Sequence, residues 1–285
     1  MKSPKRLQPL LDDGVIDEII GQLMSGKEAT VYTVRCGSEV RCVKVYKEAA
    51  KRSFKKAVQY QEGRKVRNTR RARAMDKGSK YGRKQQEETW QNAEVDALYL
   101  LANAGVRVPK PYGCFDGVLL MELVSDEAGN VAPRLGDVSM DEEQALEDHA
   151  VVMQYVVMML CAGIVHGDLS EFNVLVDDYG PVIIDLPQAV DASANNNAEV
   201  MLARDIANMT AYYGQFAPQL LGSNYAKEIW ALYEDGALKP DTVLSGYFAE
   251  PEDESDVDSV LDEIKAVLKD EEKRLERLQE NAEEE

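Results

Sequence analysis

The chain has 285 residues, 45% of them hydrophobic, enough for one or two domains with a real core. It has no apolar run near the roughly 18 residues a membrane span needs. Its charged start, MKSPKRLQPLLDDG, has no apolar stretch of the secretory kind, so we expect a cytoplasmic protein with no membrane contact. Four cysteines, at 36, 42, 114 and 161, show no CxxC spacing, which argues against a zinc site. Cys36 and Cys42 could face each other across a hairpin, but reduced thiols are the expected state, with Cys161 in the core.

The net charge of -18 is unevenly spread. Between Lys44 and Lys84 lie 16 of the 33 basic residues, opposed only by Glu48, Glu62 and Asp76. From Glu250 onward, 16 acids face 5 bases. Such asymmetry points to an anionic partner for the basic belt, or to contact between belt and tail. Aromatic residues are sparse in the belt, so base stacking is not strongly signalled.

In chain order, Leu7 to Leu23 carries a short helical apolar period, and residues 1–24 are read as an N-terminal helical segment. The valine-rich runs ATVYTV and RCVKVYK, with Gly37-Ser38 between them, predict a β-hairpin. Residues 49–86 are basic and poor in apolar residues, and read as helix fragments with a loop near Met75 to Gly82. Helical period resumes from Trp90 to Ala104, with Gly105 as the stop. VRVPKPYG reads as an extended link, and GVLLMELV as a buried strand running into a connector. Asp141 to Ala162 is a strongly apolar helix with Asp141 as its N-cap. FNVLVDDYGPVIIDL is a second hairpin, and 198–213 and 225–233 read as helices. An acidic segment follows, with an apolar stripe from Val257 to Leu278 that suits one more helix.

The stretch HGDLSEFNVLV, residues 166–176, carries the chemistry. Asn173 enters one strand of the second hairpin and Asp185 leaves the other, so an antiparallel turn brings the two ends together. Asp168 lies in the loop just before. Oxygen ligands from Asn173 and Asp185 suit a Mg²⁺ bridging nucleotide phosphates, since magnesium keeps several waters and needs few carboxylates. Asp168 can then orient a hydroxyl and accept its proton. Lys44, alternating with Val43 and Val45, shares a strand face with Cys42 and Tyr46 and can reach phosphates if a helix glutamate fixes it. Glu94 is the natural partner, although Glu87, Glu88 and Asp96 are near. The turn Ser25-Gly26-Lys27-Glu28-Ala29 could cover phosphates with backbone N–H groups, but one glycine makes a weak phosphate loop. His166 reads as structural, and His149, in a helix, as unimportant.

Taken in order, SGKEATVY, VKVYK, MELV, HGDLSEFNVLV and IIDLPQAV resemble the RIO family of atypical serine/threonine protein kinases over roughly Leu7 to Phe248. The resemblance implies an α+β, two-lobed protein-kinase-like fold. An antiparallel sheet plus a helix would form the N-lobe (25–120, with a basic insertion at 49–86), and 121–126 the hinge. A mainly helical C-lobe (127–248) and an acidic tail (249–285) would follow. It implies ATP with Mg²⁺, or Mn²⁺, as cofactors. Asp168 becomes the catalytic aspartate, Asn173 and Asp185 the metal ligands, and Lys44 with Glu94 the phosphate-anchoring pair. Ser25, Gly26 and Lys27 become the phosphate turn, and backbone groups of Glu122 and Val124 the adenine connector. Asp185 is also implied as a phosphoryl acceptor, so both ATP hydrolysis and transfer to a protein hydroxyl, including autophosphorylation, are expected. A link to ribosome maturation is implied too. Asp185-Leu186-Pro187 replaces Asp-Phe-Gly and no Ala-Pro-Glu follows, so no activation segment is expected. Two alternatives stay open: a small-molecule phosphotransferase of the aminoglycoside or choline type, and a nucleotide-switched factor that binds RNA or a ribosome.

Overall fold

The computed structural model describes residues 4–26, 29–47 and 94–248. The basic stretch after Lys47, Lys27 of the turn, Trp90 and the acidic tail with its apolar stripe lie outside the described residues. The described residues form one compact unit.

A short helix α1 (Gln8–Asp12) leads into β1 (Glu18–Ser25), β2 (Ala29–Cys36) and β3 (Glu39–Tyr46). The described part of helix α2 covers 94–103 and stops at Gly105, whose φ of 84° suits a glycine after a helix end. β4 (Pro111–Phe115) and β5 (Val118–Glu122) complete a five-stranded sheet in the order β1-β2-β3-β5-β4, antiparallel throughout. Two readings from sequence are corrected here. The helical period over 7–23 gives only one short turn of helix, because Glu18 to Ser25 pairs with β2 instead. The supposed Pro-containing link ends as edge strand β4, where Pro111 is tolerated because an edge strand has unpaired positions.

Strand alternation divides the sheet's two faces. Val43 and Val45 point to one side and are buried with Val34, Val118 and Leu120 under Leu7, Leu10 and Ile16. The N-terminal segment therefore seals the outer face of the sheet. Cys42, Lys44 and Tyr46 point to the other side, towards α2 and the cleft, and all three are buried. Cys42 pairs across the hairpin with Thr33, and Cys36 with Glu39, so the two thiols do not face each other, and all four cysteines are free.

Past β5 the chain crosses a short 3-10 turn (Leu135–Asp137) and enters α3 (Glu142–Cys161). Asp141 caps α3 by accepting the Gln144 N–H at 2.9 Å. Cys161 is exposed rather than in the core, because it falls on the solvent side of the last turn. β6 (Ile164–Val165) pairs with β9 (Val190–Asp191), and β7 (Val174–Asp177) with β8 (Gly180–Ile183). Helices α4 (Ala198–Tyr213) and α5 (Tyr225–Glu234) pack against α3. His149 of α3 is buried between them. Its Nε2 lies 3.2 Å from Thr210 Oγ1, and its ring packs against Tyr213 and Tyr225.

Burial depresses the His149 pKa from 6.5 to about 4. Above pH 6.5 the ring is neutral folded or unfolded and costs nothing. Between 6.5 and about 4 only the unfolded chain takes the proton, so stability falls as pH drops, by about 1.4 kcal/mol per unit at most. A His149→Phe protein should lose this slope in urea unfolding followed from pH 7 to 4. Leu160, fully buried in α3, should cost about 2–5 kcal/mol when changed to Ala, read by the same unfolding measurement.

Candidate active site

The site starts from a charge that the sheet buries. Lys44 on β3 is 8% exposed. Its Nζ donates to Glu94 Oε1 at 2.5 Å and to Asp185 Oδ1 at 2.6 Å. Burial alone would depress an ammonium, but the two carboxylates outweigh it and hold the Lys44 pKa above the ordinary lysine value. Glu94 is 2% exposed, and its second oxygen accepts the Tyr46 hydroxyl from the same strand face as Lys44. Both Glu94 oxygens are thus engaged by β3, two residues apart on one face. Sequence analysis placed Tyr46 on the lysine's face of the strand but gave it no role. Its signal was available: a tyrosine at i+2 from the lysine must lie on the same side.

Asp185 sits where the second hairpin ends. Its φ is +66°, a left-handed conformation that non-glycine residues seldom adopt. The side chain keeps 47% of its surface exposed, opening into the cleft while one oxygen holds Lys44. Burial of the group pushes its pKa up, yet the Lys44 ammonium and its hydrogen bond prevail and hold the carboxyl below its usual range. On the opposite strand, Asn173 accepts the Ile184 N–H through its backbone oxygen at 2.9 Å. Residues 173 and 185 therefore meet at one end of the hairpin. The Asn173 side-chain amide donates to the Asp168 carbonyl at 2.7 Å, which leaves its amide oxygen without a donor in that bond. Asp168 is exposed, and Gln188 Nε2 donates to its Oδ2 at 3.1 Å.

The 166–173 loop is held from beneath. Asp205, 1% exposed on α4, accepts the Gly167 N–H at 2.7 Å and the Leu169 N–H at 3.0 Å, one with each oxygen. Burial pushes its pKa up to about 7, against those two N–H donors and Arg204. Arg204 donates to the Gly167 carbonyl, and Asn208 to the Leu169 carbonyl at 3.0 Å. Sequence reasoning missed these three. The signal was an acid on the buried stripe Met201, Leu202, Ile206 and Met209, where a charge needs partners. His166, 1% exposed, lies 3.1 Å from the Ile184 carbonyl through Nε2, and its Nδ1 accepts the Asp168 N–H at 3.3 Å. That pattern is a neutral ring with its proton on Nε2, and burial lowers its pKa accordingly.

The remaining sequence-selected residues surround this cluster. Gly26 N–H donates to Ala29 O at 2.9 Å, so it is engaged within its own turn, and Lys47 reaches Ser25 Oγ at 3.2 Å. Glu122 ends β5. Its N–H donates to Lys110 O, its carbonyl accepts the Cys42 thiol at 3.2 Å, and its carboxylate accepts the Lys110 N–H at 3.0 Å. The Val124 carbonyl accepts from Ala132 at 3.0 Å, whereas its N–H meets no acceptor among the described residues. That free donor is on the connector side of the cleft.

A five-stranded sheet over a helical lower part, with a lysine–glutamate pair reaching an aspartate at the exit of a hairpin, defines a protein-kinase-like class. A family model described as the RIO domain matches residues 30–225, and the chain belongs to that family. It is similar to the RIO-type serine/threonine-protein kinase Rio1 of Haloferax volcanii, 36% identical over 206 residues that cover 72% of this chain and 66% of that protein. The serine/threonine-protein kinase RIO1 of Homo sapiens is 32% identical over 206 residues, 72% of this chain and 34% of that protein. Thermoplasma acidophilum has a RIO-type serine/threonine-protein kinase Rio1 that is 39% identical over 124 residues, 44% of this chain and 63% of that protein. The matched region thus spans from a third to just under two thirds of these relatives' lengths.

Asp205→Asn keeps the shape but offers one acceptor where two N–H groups need one each. We expect a loss of about 1–3 kcal/mol in unfolding free energy for the N–H left unpaired. Proteolysis within the 166–173 loop should also become faster, and an unchanged rate and midpoint would contradict the clamp.

Proposed function

We propose that the chain is an ATP- and Mg²⁺-dependent phosphotransferase, a RIO-type serine/threonine kinase or ATPase. One observation carries this reading: Lys44 Nζ is held at once by Glu94, 50 residues on, and by Asp185, 141 residues on. A buried cation tied to a helix carboxylate and aimed at the mouth of a hairpin suits the phosphate tail of a nucleotide. In this reading Lys44 and Glu94 anchor the phosphates, and Ser25, Gly26 and Lys27 form the covering turn. The connector at Glu122 and Val124 takes the base, with the Val124 N–H as the unengaged donor.

The residues fit a magnesium ion. Asn173 spends its amide N–H on Asp168 and has an oxygen to offer, and Asp185 spends one oxygen on Lys44 and exposes the other side of its carboxylate to the cleft. When bound, the metal would offset the charge of the phosphates. The chain's own part is otherwise electrostatic and positional. Asp168, whose Oδ2 accepts from Gln188 Nε2, is the carboxylate that takes a proton from an incoming hydroxyl or water. Asp185 takes the metal and is also the proposed phosphoryl acceptor.

The acceptor hydroxyl belongs to a protein serine or threonine, including residues of this chain. Only 186–197 separate Asp185 from α4, with β9 inside that stretch. This leaves little room for the peptide-docking segment of classical kinases, and favours a few specific acceptors. The basic stretch 44–84 is proposed to contact RNA or a ribosomal subunit. No described helix is long and apolar enough to cross a membrane.

Mg²⁺-dependent ATP turnover, with phosphosites mapped by mass spectrometry, tests the main reading. Asp168→Asn and Asp185→Asn should each lower turnover at least 100-fold, on the scale of removing a catalytic carboxylate. Asp168→Asn should still bind ATP. Wild-type rates in both variants would exclude the assignment, and ATP consumption raised by small alcohols or aminoglycosides would favour a small-molecule acceptor. Binding to ribosomal subunits should fall steeply with added salt and on charge reversal at Arg70, Arg71 and Arg73.

A further inference from the structure

An arginine at the cleft forms no ion pair with a carboxylate among the described residues. Arg134 lies just before the 3-10 turn Leu135–Asp137, and its backbone is fixed on two sides. Its carbonyl accepts the Asp137 N–H at 2.9 Å, and the residue bridges antiparallel to Leu175 of β7. The neighbouring Pro133 carbonyl accepts from Val176 at 3.0 Å. Arg134 is therefore anchored to the strand that begins one residue after Asn173. Its side chain runs the other way, to the upper lobe, where Nη2 meets Met24 Sδ at 2.7 Å. Met24 immediately precedes Ser25-Gly26, so the guanidinium spans from the metal-hairpin side to the phosphate-turn side.

A thioether is a weak acceptor and cannot satisfy a group with five N–H donors. No carboxylate pairs with Arg134 among the described residues, whereas Arg35, Arg41 and Arg107 each have one. A planar fork with no ion pair among the described residues, held between these two elements, can take a phosphate group through two parallel N–H donors.

We propose that Arg134 is a nucleotide-binding residue that contacts the terminal phosphates of a nucleoside triphosphate, as a second cation beside Lys44. The proposal rests on the phosphotransferase reading above and adds a residue that no motif in the sequence selected. Because the contact is to the tail and not to the base, its loss should grow with phosphate number.

Calorimetric binding of Mg-ATP, ADP and adenosine to the full chain tests it, with Arg134→Gln and Arg134→Lys beside wild type. We expect Arg134→Gln to weaken ATP about tenfold or more, ADP less, and adenosine not at all. Arg134→Lys should recover part of the loss, since lysine keeps the charge without the fork. Equal weakening of ATP and adenosine would mean that Arg134 only shapes the cleft, and unchanged ATP affinity would also overturn the assignment. If Arg134→Gln does not fold, the Arg134→Lys comparison decides: ATP affinity equal to wild type, with ADP unchanged, would refute a fork contact. The Asp168→Asn protein separates this from the reading beneath it. A wild type that binds ATP and an Asp168→Asn protein that turns it over normally would sink the catalytic assignment while leaving Arg134 to be judged on binding alone.

Discussion

A lysine ammonium cannot be taken out of water unless it is paired. That constraint organises the upper half of this protein. Lys44 is buried because β3 sits between two strands, β2 and β5, and its odd and even residues serve two separate layers. The valines of β3 need the N-terminal segment on one side. The lysine needs Glu94 and Asp185 on the other, and so ties a helix and the lower lobe to the sheet. Removing either carboxylate leaves a poorly paired buried charge, so the interaction specifies how the parts meet as well as the chemistry they can carry out. Tyr46 completes the arrangement by taking the Glu94 oxygen that Lys44 does not use.

Below the cleft the logic is reversed. There an anion, Asp205, is buried beneath the loop, and backbone N–H groups satisfy it. With His166 bonded to the chain just before Asp185, the loop that bears Asp168 is tied both to α4 and to the hairpin exit. Asp168 itself stays exposed. Support and exposure are thus separated: buried groups fix the backbone, and the carboxylates of Asp168 and Asp185 stay exposed at the cleft. The left-handed backbone at Asp185 fits the same view, since a strained residue persists only where the surroundings fix it.

Some elements were legible because they depend on local pattern. The valine hairpin, the capped helix from Asp141 and the 166–176 stretch follow from alternation, capping and turn chemistry, and all three appear where expected. Lys44 does meet Glu94, the partner that helix register and the family pattern favoured, although alternation alone only permitted a cleft-facing lysine. The misreadings have local causes too. Residues 18–25 have enough apolar residues to mimic a helix period, but tertiary pairing with β2 overrides that preference. Pro111 hid an edge strand, and Cys161 was judged from an apolar neighbourhood while its own side of α3 faces solvent.

By itself the sequence determined the hairpins, the helix caps, the family motifs and the chemical types available at residues 44, 168, 173 and 185, because each depends on neighbours a few positions away. Only the tertiary structure decided that Asp185 reaches Lys44 across 141 positions, that Asp205 holds the loop from α4, and that Arg134 reaches Met24 of β1. Such contacts depend on where separate elements come to rest. Side-chain patterns report the neighbours of a residue along the chain, but packing chooses its neighbours in space.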